Sequence, residues 1–216
     1  MRVGVIGSGM VAKAVADRLL ELGHEVRMGS RSADGPGAAW AQAAAAGASA
    51  GDFADAAAFG EIVVNATAGA HSLAALTQAG EQGLAGKVLL DISNPIGAGG
   101  GGPMTLTVAN TDSLAEQIQR AFPSARVVKA LNTMNCEVMV RPEIVPGDHV
   151  VFVSGDDADA KQSVIRLLDA FGWPADRIID LGGLVTARGT EAYLLIWLAI
   201  WRSVGRQFNI AIETAR

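Results

Sequence analysis

Apolar and polar positions along the first 155 residues fall into two alternating rhythms. Short strand-like apolar runs occur at Val3–Ile6, Val26–Met28, Ile62–Val64, Val88–Leu90, Val127–Val128 and His149–Val153. Between the first two, Val11, Val15, Leu19 and Leu22 recur at helical spacing, and Gly23 then supplies a stop. Asp156 to Phe171 reads as another helix, with Asp157 and Asp159 in the first turn, where negative charge complements the helix dipole. From about Leu184 to the end the pattern is one long helix, apolar over much of its circumference and interrupted at Gly205. Such β/α alternation predicts an α/β chain: a Rossmann-like, doubly wound, mostly parallel sheet, with a small C-terminal α/β annex ending in a long helix. The corresponding division is a nucleotide-binding domain over residues 1–145 and a smaller domain over 146–216, carrying an acceptor pocket and a dimerisation helix.

Two stretches depart from this rhythm. Ala38 to Ala58 is alanine-rich and suits a helix packed close to a sheet, broken by Gly47 and Gly51, with plain low complexity as the alternative. Gly97 to Pro103 holds five glycines in seven residues and can carry no regular element, so it reads as a loop following a strand end.

Composition narrows the picture. Half of the 216 residues are hydrophobic and 18% are charged, enough apolar material for an independent core. A formal charge of −5 offers no basic face for neutralising phosphates, so no nucleic-acid partner is expected. The single cysteine, Cys136, excludes an internal disulfide and any multi-cysteine metal site, which fits a reducing cytoplasm. The first apolar run stops at a glycine turn short of a signal-peptide core. Tyr193–Trp201 is shorter than the roughly 20 residues a bilayer needs, and no membrane contact is expected. That run predicts instead a homodimer interface through Tyr193, Ile196, Trp197, Ile200, Trp201 and Phe208. The alternative is that the remaining chain folds over the helix.

The strongest motif is Val3-Gly4-Val5-Ile6-Gly7-Ser8-Gly9-Met10-Val11-Ala12, a strand running into G-x-G-x-x-A and then a helix. Gly7 permits the tight turn, Gly9 lets a pyrophosphate approach the backbone, and Ala12 allows the helix to pack on the strand. Ser8, Met10 and Val11 fall in the loop and first turn, where amide donors and partial positive charge face the phosphates. At the end of the second strand an NAD enzyme usually carries an acid, but this chain reads Met28-Gly29-Ser30-Arg31-Ser32. Arg31 can stack on adenine or pair with a 2′-phosphate, and the hydroxyls of Ser30 and Ser32 can donate to it. NADP is thereby favoured over NAD.

Ligands of doubly wound sheets lie across the C-terminal strand ends. Candidates there are Asn65-Ala66-Thr67, Ser93-Asn94-Pro95 and Ala130-Leu131-Asn132-Thr133-Met134, although turn and capping chemistry explains such residues equally well. His71, just past Asn65, is a candidate for the phosphate or nicotinamide region, while His24 and His149 read as structural. No Cys/His cluster has metal-ligand spacing, and the only tyrosine, Tyr193, is not followed by a lysine four residues on.

Several stretches together resemble the coenzyme F420-dependent NADP oxidoreductase family. They are Met1 to Gly9, Leu22-Gly23-His24-Glu25-Val26 with Gly29-Ser30-Arg31, Arg126 to Thr133, Ser154-Gly155-Asp156-Asp157, and Asp180-Leu181-Gly182 leading to Arg188 and Glu191. The resemblance implies hydride transfer between NADP(H) and a deazaflavin acceptor, coenzyme F420, stacked on the nicotinamide, which needs little protein acid or base. It also implies that Asn132 to Cys136, including Met134, lies beside the two rings, with Asn65, Thr67 and Pro95 around the nicotinamide. Well-studied members carry histidine where this chain has Asn132, which cannot titrate near neutrality. The glycine-rich loop is a second departure. The rival readings are an NADPH-dependent reductase of another acceptor, a flavin or ferric chelate as in the reductase domains of membrane ferric reductases, and a non-catalytic NADP(H) sensor.

Overall fold

The computed structural model describes residues 1–97 and 104–215. Most of the expected glycine-rich loop, residues 98–103, lies outside the described residues. The chain begins as the apolar rhythm predicts, with β1 (Arg2–Ile6), α1 (Met10–Glu21) and β2 (Glu25–Ser30). It continues through α2 (Pro36–Ala43), β3 (Ala48–Asp52), α3 (Phe53–Phe59), β4 (Ile62–Asn65), α4 (Gly69–Ala79), α5 (Glu81–Leu84) and β5 (Val88–Asp91). The remainder is α6 (Leu114–Ala121), β6 (Arg126–Ala130), α7 (Cys136–Val140), β7 (Val151–Gly155), α8 (Ala158–Phe171), β8 (Ile178–Asp180), α9 (Ala187–Ala192) and α10 (Leu194–Val204).

All eight strands form one sheet in the order β3-β2-β1-β4-β5-β6-β7-β8, parallel from β3 to β6 and antiparallel at β6–β7. The segment expected to form a smaller second domain therefore adds β7 and β8 to the edge of the same sheet. Strand order reverses between β1 and β4, opening a crevice at their C-terminal ends. Side chains on successive strand positions face opposite layers. Val3, Val5, Val64, Leu90 and Val128 pack on α1, α7 and α8, while Ile6, Val63, Leu89 and Val127 pack against α3, α4 and α6.

Two strands escaped the sequence pattern. Within the alanine-rich stretch, Gly47 and Gly51 bound or enter a strand, β3, rather than only breaking a helix. Its Ala-Ser-Ala-Gly-Asp sequence carries no β-branched or aromatic residue, so edge pairing with β2 outweighs propensity. Asp52 then starts α3 with a reciprocal capping box to Asp55. Three-residue β8 is held by parallel pairing to β7.

The C-terminal helical run ends sooner than its apolar pattern suggests. A 3-10 turn (Leu184–Thr186), α9 and α10 follow one another, and left-handed Gly205 stops the run. The tail returns to the segment leading into β7, where Val150 N–H donates to the Ile210 carbonyl at 2.9 Å. Trp197 stacks on Trp201 and Phe208 at 5.4 and 5.5 Å, covering part of the aromatic surface from within the chain. Leu195, Ile196 and Val204 stay exposed, Ile196 to 55%. Among the described residues no helix is long and apolar enough to cross a membrane.

Candidate active site

At the β1–β4 crevice the chain forms a cleft of about 420 Å³. Its floor is the loop Gly7-Ser8-Gly9. Gly7 has φ of 120°, and a Cβ there would lie 2.8 Å from the Ala66 carbonyl oxygen. Gly9 differs: a Cβ would meet nothing within 4 Å, so the missing side chain leaves open space above the loop. It is also the N-cap of α1 and offers no side-chain oxygen to the first-turn amides. Those amides and the helix dipole are left to an anion, and the cradle fits a pyrophosphate.

The walls come from four elements. Arg31 enters from the end of β2, Ala66, Thr67 and Ala68 from the end of β4, and Phe53 from the start of α3. The far wall is α4, through His71, Ala74, Ala75 and Gln78. The spacing i, i+3, i+4, i+7 puts all four on one helix face. Of these, Phe53, Ala68, Ala74, Ala75 and Gln78 were not anticipated, although helical periodicity forward from His71 marks the three on α4.

Other expected contacts lie elsewhere. Met10 and Val11 occupy the first turn of α1 beyond the cleft lining, with Met10 largely exposed. Ser30 is buried and its hydroxyl donates to the Ser32 carbonyl at 2.8 Å, so it shapes the loop that presents Arg31. Asn65 is fully buried below the cleft. Its Oδ1 accepts from the Thr67 hydroxyl at 2.7 Å, and its Nδ2 donates to Asp91 Oδ1 at 2.8 Å. Thr67 is the member of that pair exposed to the cleft.

The β5 and β6 ends form a second group. Asn94 Nδ2 donates to the Asn132 carbonyl at 2.8 Å, and Asn132 Nδ2 donates to Asn94 Oδ1 and to the Thr190 carbonyl, each at 3.0 Å. Both amide protons of Asn132 are therefore directed into the protein. Leu131, immediately before it, has φ of 66°, a left-handed conformation that costs a side-chain-bearing residue roughly 1–2 kcal/mol. Pro95 follows Asn94, and its carbonyl accepts from Thr107 N–H at 2.7 Å. Met134 and Cys136 are buried in the core formed with α1 and α7. Burial, reinforced by the neighbouring Glu137 charge, pushes the Cys136 thiol above its usual range. A poorly ionised thiol is a weak nucleophile.

Beneath both groups runs a polar rung that the sequence reading did not single out. Asn65, Asp91 and Lys129 are register partners across β4, β5 and β6. Lys129, 1% exposed, pairs with Asp91 (0%) and Glu191 (2%) at 2.8 Å each. Glu191 also accepts the Leu114 and Ala115 backbone amides at 2.8 and 3.1 Å, so it caps α6. Although burial opposes its charge most strongly, the two carboxylates hold the Lys129 ammonium pKa above its ordinary value. Each of these strand runs, Val-Val-Asn, Leu-Leu-Asp and Val-Val-Lys, closes on a polar residue, and that shared ending was the available signal.

His24 and His149 stand apart from the cleft. His149 Nε2 lies 3.0 and 2.9 Å from the Pro142 and Val145 carbonyls, and its ring meets Trp173 edge-on. Among the described residues no group of three His, Cys, Asp or Glu could hold a metal ion.

Fold and cleft together define the class: a Rossmann-type NADP oxidoreductase. The sequence model described as NADP oxidoreductase, coenzyme F420-dependent, matches residues 2–95. A solved structure from Arthrobacter sp. FB24, described provisionally as an F420-dependent NADP reductase, is 47% identical with a TM-score of 0.90, covering 99% of both chains. The chain belongs to the coenzyme F420-dependent NADP oxidoreductase family. It is also 29% identical to rat metalloreductase STEAP3 and 28% to human metalloreductase STEAP2, in each case over 93% of this chain. It spans only 38% and 37% of those two relatives. A Sinorhizobium meliloti protein, SMa0349, shares the fold at 23% identity and a TM-score of 0.69, covering 87% of both chains.

Proposed function

We propose that this chain transfers a hydride between NADP(H) and a deazaflavin of the coenzyme F420 type. The observation that carries the nucleotide half is the placement of Arg31 on the wall of a cleft floored by Gly7-Ser8-Gly9. A guanidinium at the end of β2, where a carboxylate would hold an unmodified ribose, favours a 2′-phosphate. Arg31 binds that phosphate on a loop braced by Ser30 and Ser32. The glycine loop and first turn of α1 hold the pyrophosphate, and Thr67 and His71 line the path between them. The nicotinamide lies toward Asn94, Pro95 and Asn132, where bound NADPH supplies the hydride at its C4. The protein's share is to fix the rings and exclude water, for which Leu131, Asn132 and Met134 form a rigid, largely buried boundary.

The metalloreductase relatives favour a second reading of the acceptor, a flavin or ferric chelate. Pure protein with saturating NADPH is tested against oxidised coenzyme F420, FMN and ferric citrate, following loss of NADPH absorbance. Deazaflavin bleaching supports the first reading. Reduction of FMN or ferric citrate alone favours the second, and reduction of none, with NADPH bound, favours a nucleotide sensor.

The exposed Leu195, Ile196 and Val204 support a homodimer built on α10. Light scattering should return twice the 22.2 kDa chain mass, and Ile196→Asp should shift it toward the single-chain value. A wild-type monomer rejects the interface.

A further inference from the structure

We propose that Glu191, acting through Thr190 and Asn132, is a positioning residue for the acceptor side of the site, an inference that rests on the hydride-transfer reading above. Glu191 touches no part of the nucleotide cleft. Its carboxylate instead ties α9 to two elements much earlier in the chain: one oxygen pairs with Lys129 on β6, and the two together take the first amides of α6. Arg188, one turn earlier on α9, adds a two-point pair to Glu116 of α6 at 2.8 and 2.6 Å. These contacts set where α9 lies, and the residue beside Glu191 presents the Thr190 carbonyl to Asn132 Nδ2.

Asn132 follows a residue in a costly left-handed conformation, so its orientation must be imposed from outside the local backbone. Two partners impose it, the Asn94 side chain and the Thr190 carbonyl, and the second is only as well placed as α9. Lys129 is three residues from Asn132 on the same strand end, and it answers to Glu191 and Asp91 together. One carboxylate thus registers both the strand end and the helix that bracket Asn132. At the other end of the rung Thr67 lines the nucleotide cleft and is tied through Asn65 and Asp91 to Lys129, so three side chains separate Thr67 from Glu191. The phosphate-binding part of the nucleotide site, at Gly7–Gly9 and Arg31, should therefore feel changes at residue 191 least.

Glu191→Asp keeps the charge but cannot reach Lys129 and both amides. Glu191→Gln keeps the length but turns an N–H₂ toward groups that are themselves donors. In both variants, hydrogen exchange should quicken across 131–135 and 188–192 while the 7–12 amides keep wild-type protection. NADPH affinity by calorimetry should stay within about twofold, because the phosphate contacts lie at the other end of the cofactor, and single-turnover NADPH oxidation by whichever acceptor the wild type reduces, one coenzyme F420, one FMN or two ferric citrates per NADPH, should slow by on the order of tenfold. A purely structural role would lower the melting temperature and leave that rate untouched in the folded fraction, which overturns the proposal. Unchanged protection at 131–135 in both variants overturns it as well. If the wild type reduces none of the three acceptors, the hydride-transfer reading fails, and the exchange measurement alone still decides whether Glu191 orders the Asn132 segment.

Discussion

The two halves of the sheet's C-terminal edge are built by different means. Around β1, β2 and β4 the site is made largely of backbone: a glycine loop, an uncapped helix start and the α4 face of His71, Ala74, Ala75 and Gln78, with Arg31 as the one arginine or lysine lining it among the described residues. Around β5, β6 and α9 it is made of side chains that reach over long sequence distances, Asn94 to Asn132, Asn132 to the Thr190 carbonyl, Lys129 to Asp91 and Glu191. A backbone cradle suits a ligand part that does not change, such as a pyrophosphate, and tolerates little variation. A side-chain assembly can be retuned residue by residue.

The largest test of that contrast is Lys129→Met. It leaves Asp91 and Glu191 buried without their shared cation, and removing one partner of a buried ion pair costs about 3–5 kcal/mol. Urea denaturation should show that loss, with hydrogen exchange quickening first at the β5–β6 ends. A change below about 1 kcal/mol would mean that the α6 amides alone stabilise Glu191, and the two halves would then differ less than their contacts suggest.

Next in size is Arg31→Glu in the backbone-built half. Losing a charge-assisted contact and adding repulsion should weaken NADPH binding by about 2–3 kcal/mol. At about 1.4 kcal/mol per decade, that is roughly a 30- to 150-fold rise in Kd. NADH affinity should barely move and thermal stability should hold, since Arg31 lies at the protein surface. Calorimetric titration with both nucleotides checks it. Equal affinity of the wild type for NADH and NADPH would remove the 2′-phosphate assignment.

This division also explains what could be read in the chain before folding. Gly7, Gly9 and Arg31 sit within a single β-α-β unit, so their spacing in sequence is their spacing in space. The strands themselves followed from the same local alternation, except β3, whose alanines and glycine carry no strand preference, and β8, which is three residues long. Asn132 was visible as a strand-end residue, but its inward amide depends on Thr190, 58 positions later. Lys129 and Asp91 looked like ordinary ends of apolar strands because their partner, Glu191, belongs to a helix whose docking no local pattern encodes. Phe53 was hidden for a similar reason: it starts a helix that only the unexpected β3 brings to the crevice.

The smallest expected effect concerns an ion pair on the rim of the side-chain half. Asp112 accepts two bonds from Arg120 at 3.0 and 2.7 Å and stands just before Ser113, the cap of α6. Chiefly the Arg120 guanidinium, opposed by partial burial and helped by Gln117 and the Ser113 amide, lowers the Asp112 carboxyl from the usual 3.8 to about 2. A carboxyl lowered on folding stabilises the fold fully above its unfolded value, and the contribution fades as pH drops from about 4 to about 2. With the Arg120 side chain 60% exposed, solvent screening keeps the pair far below the buried one, at about 0.5–1 kcal/mol. Asp112→Asn should therefore cost that amount at neutral pH and less in 1 M salt. Its denaturation midpoint should converge on the wild type only below about pH 4, in line with the lowered carboxyl. A cost as large as that of Lys129→Met, or one insensitive to salt, would show that the rim of α6 is held as tightly as its buried end, and that Asp112 belongs to the same assembly as Glu191.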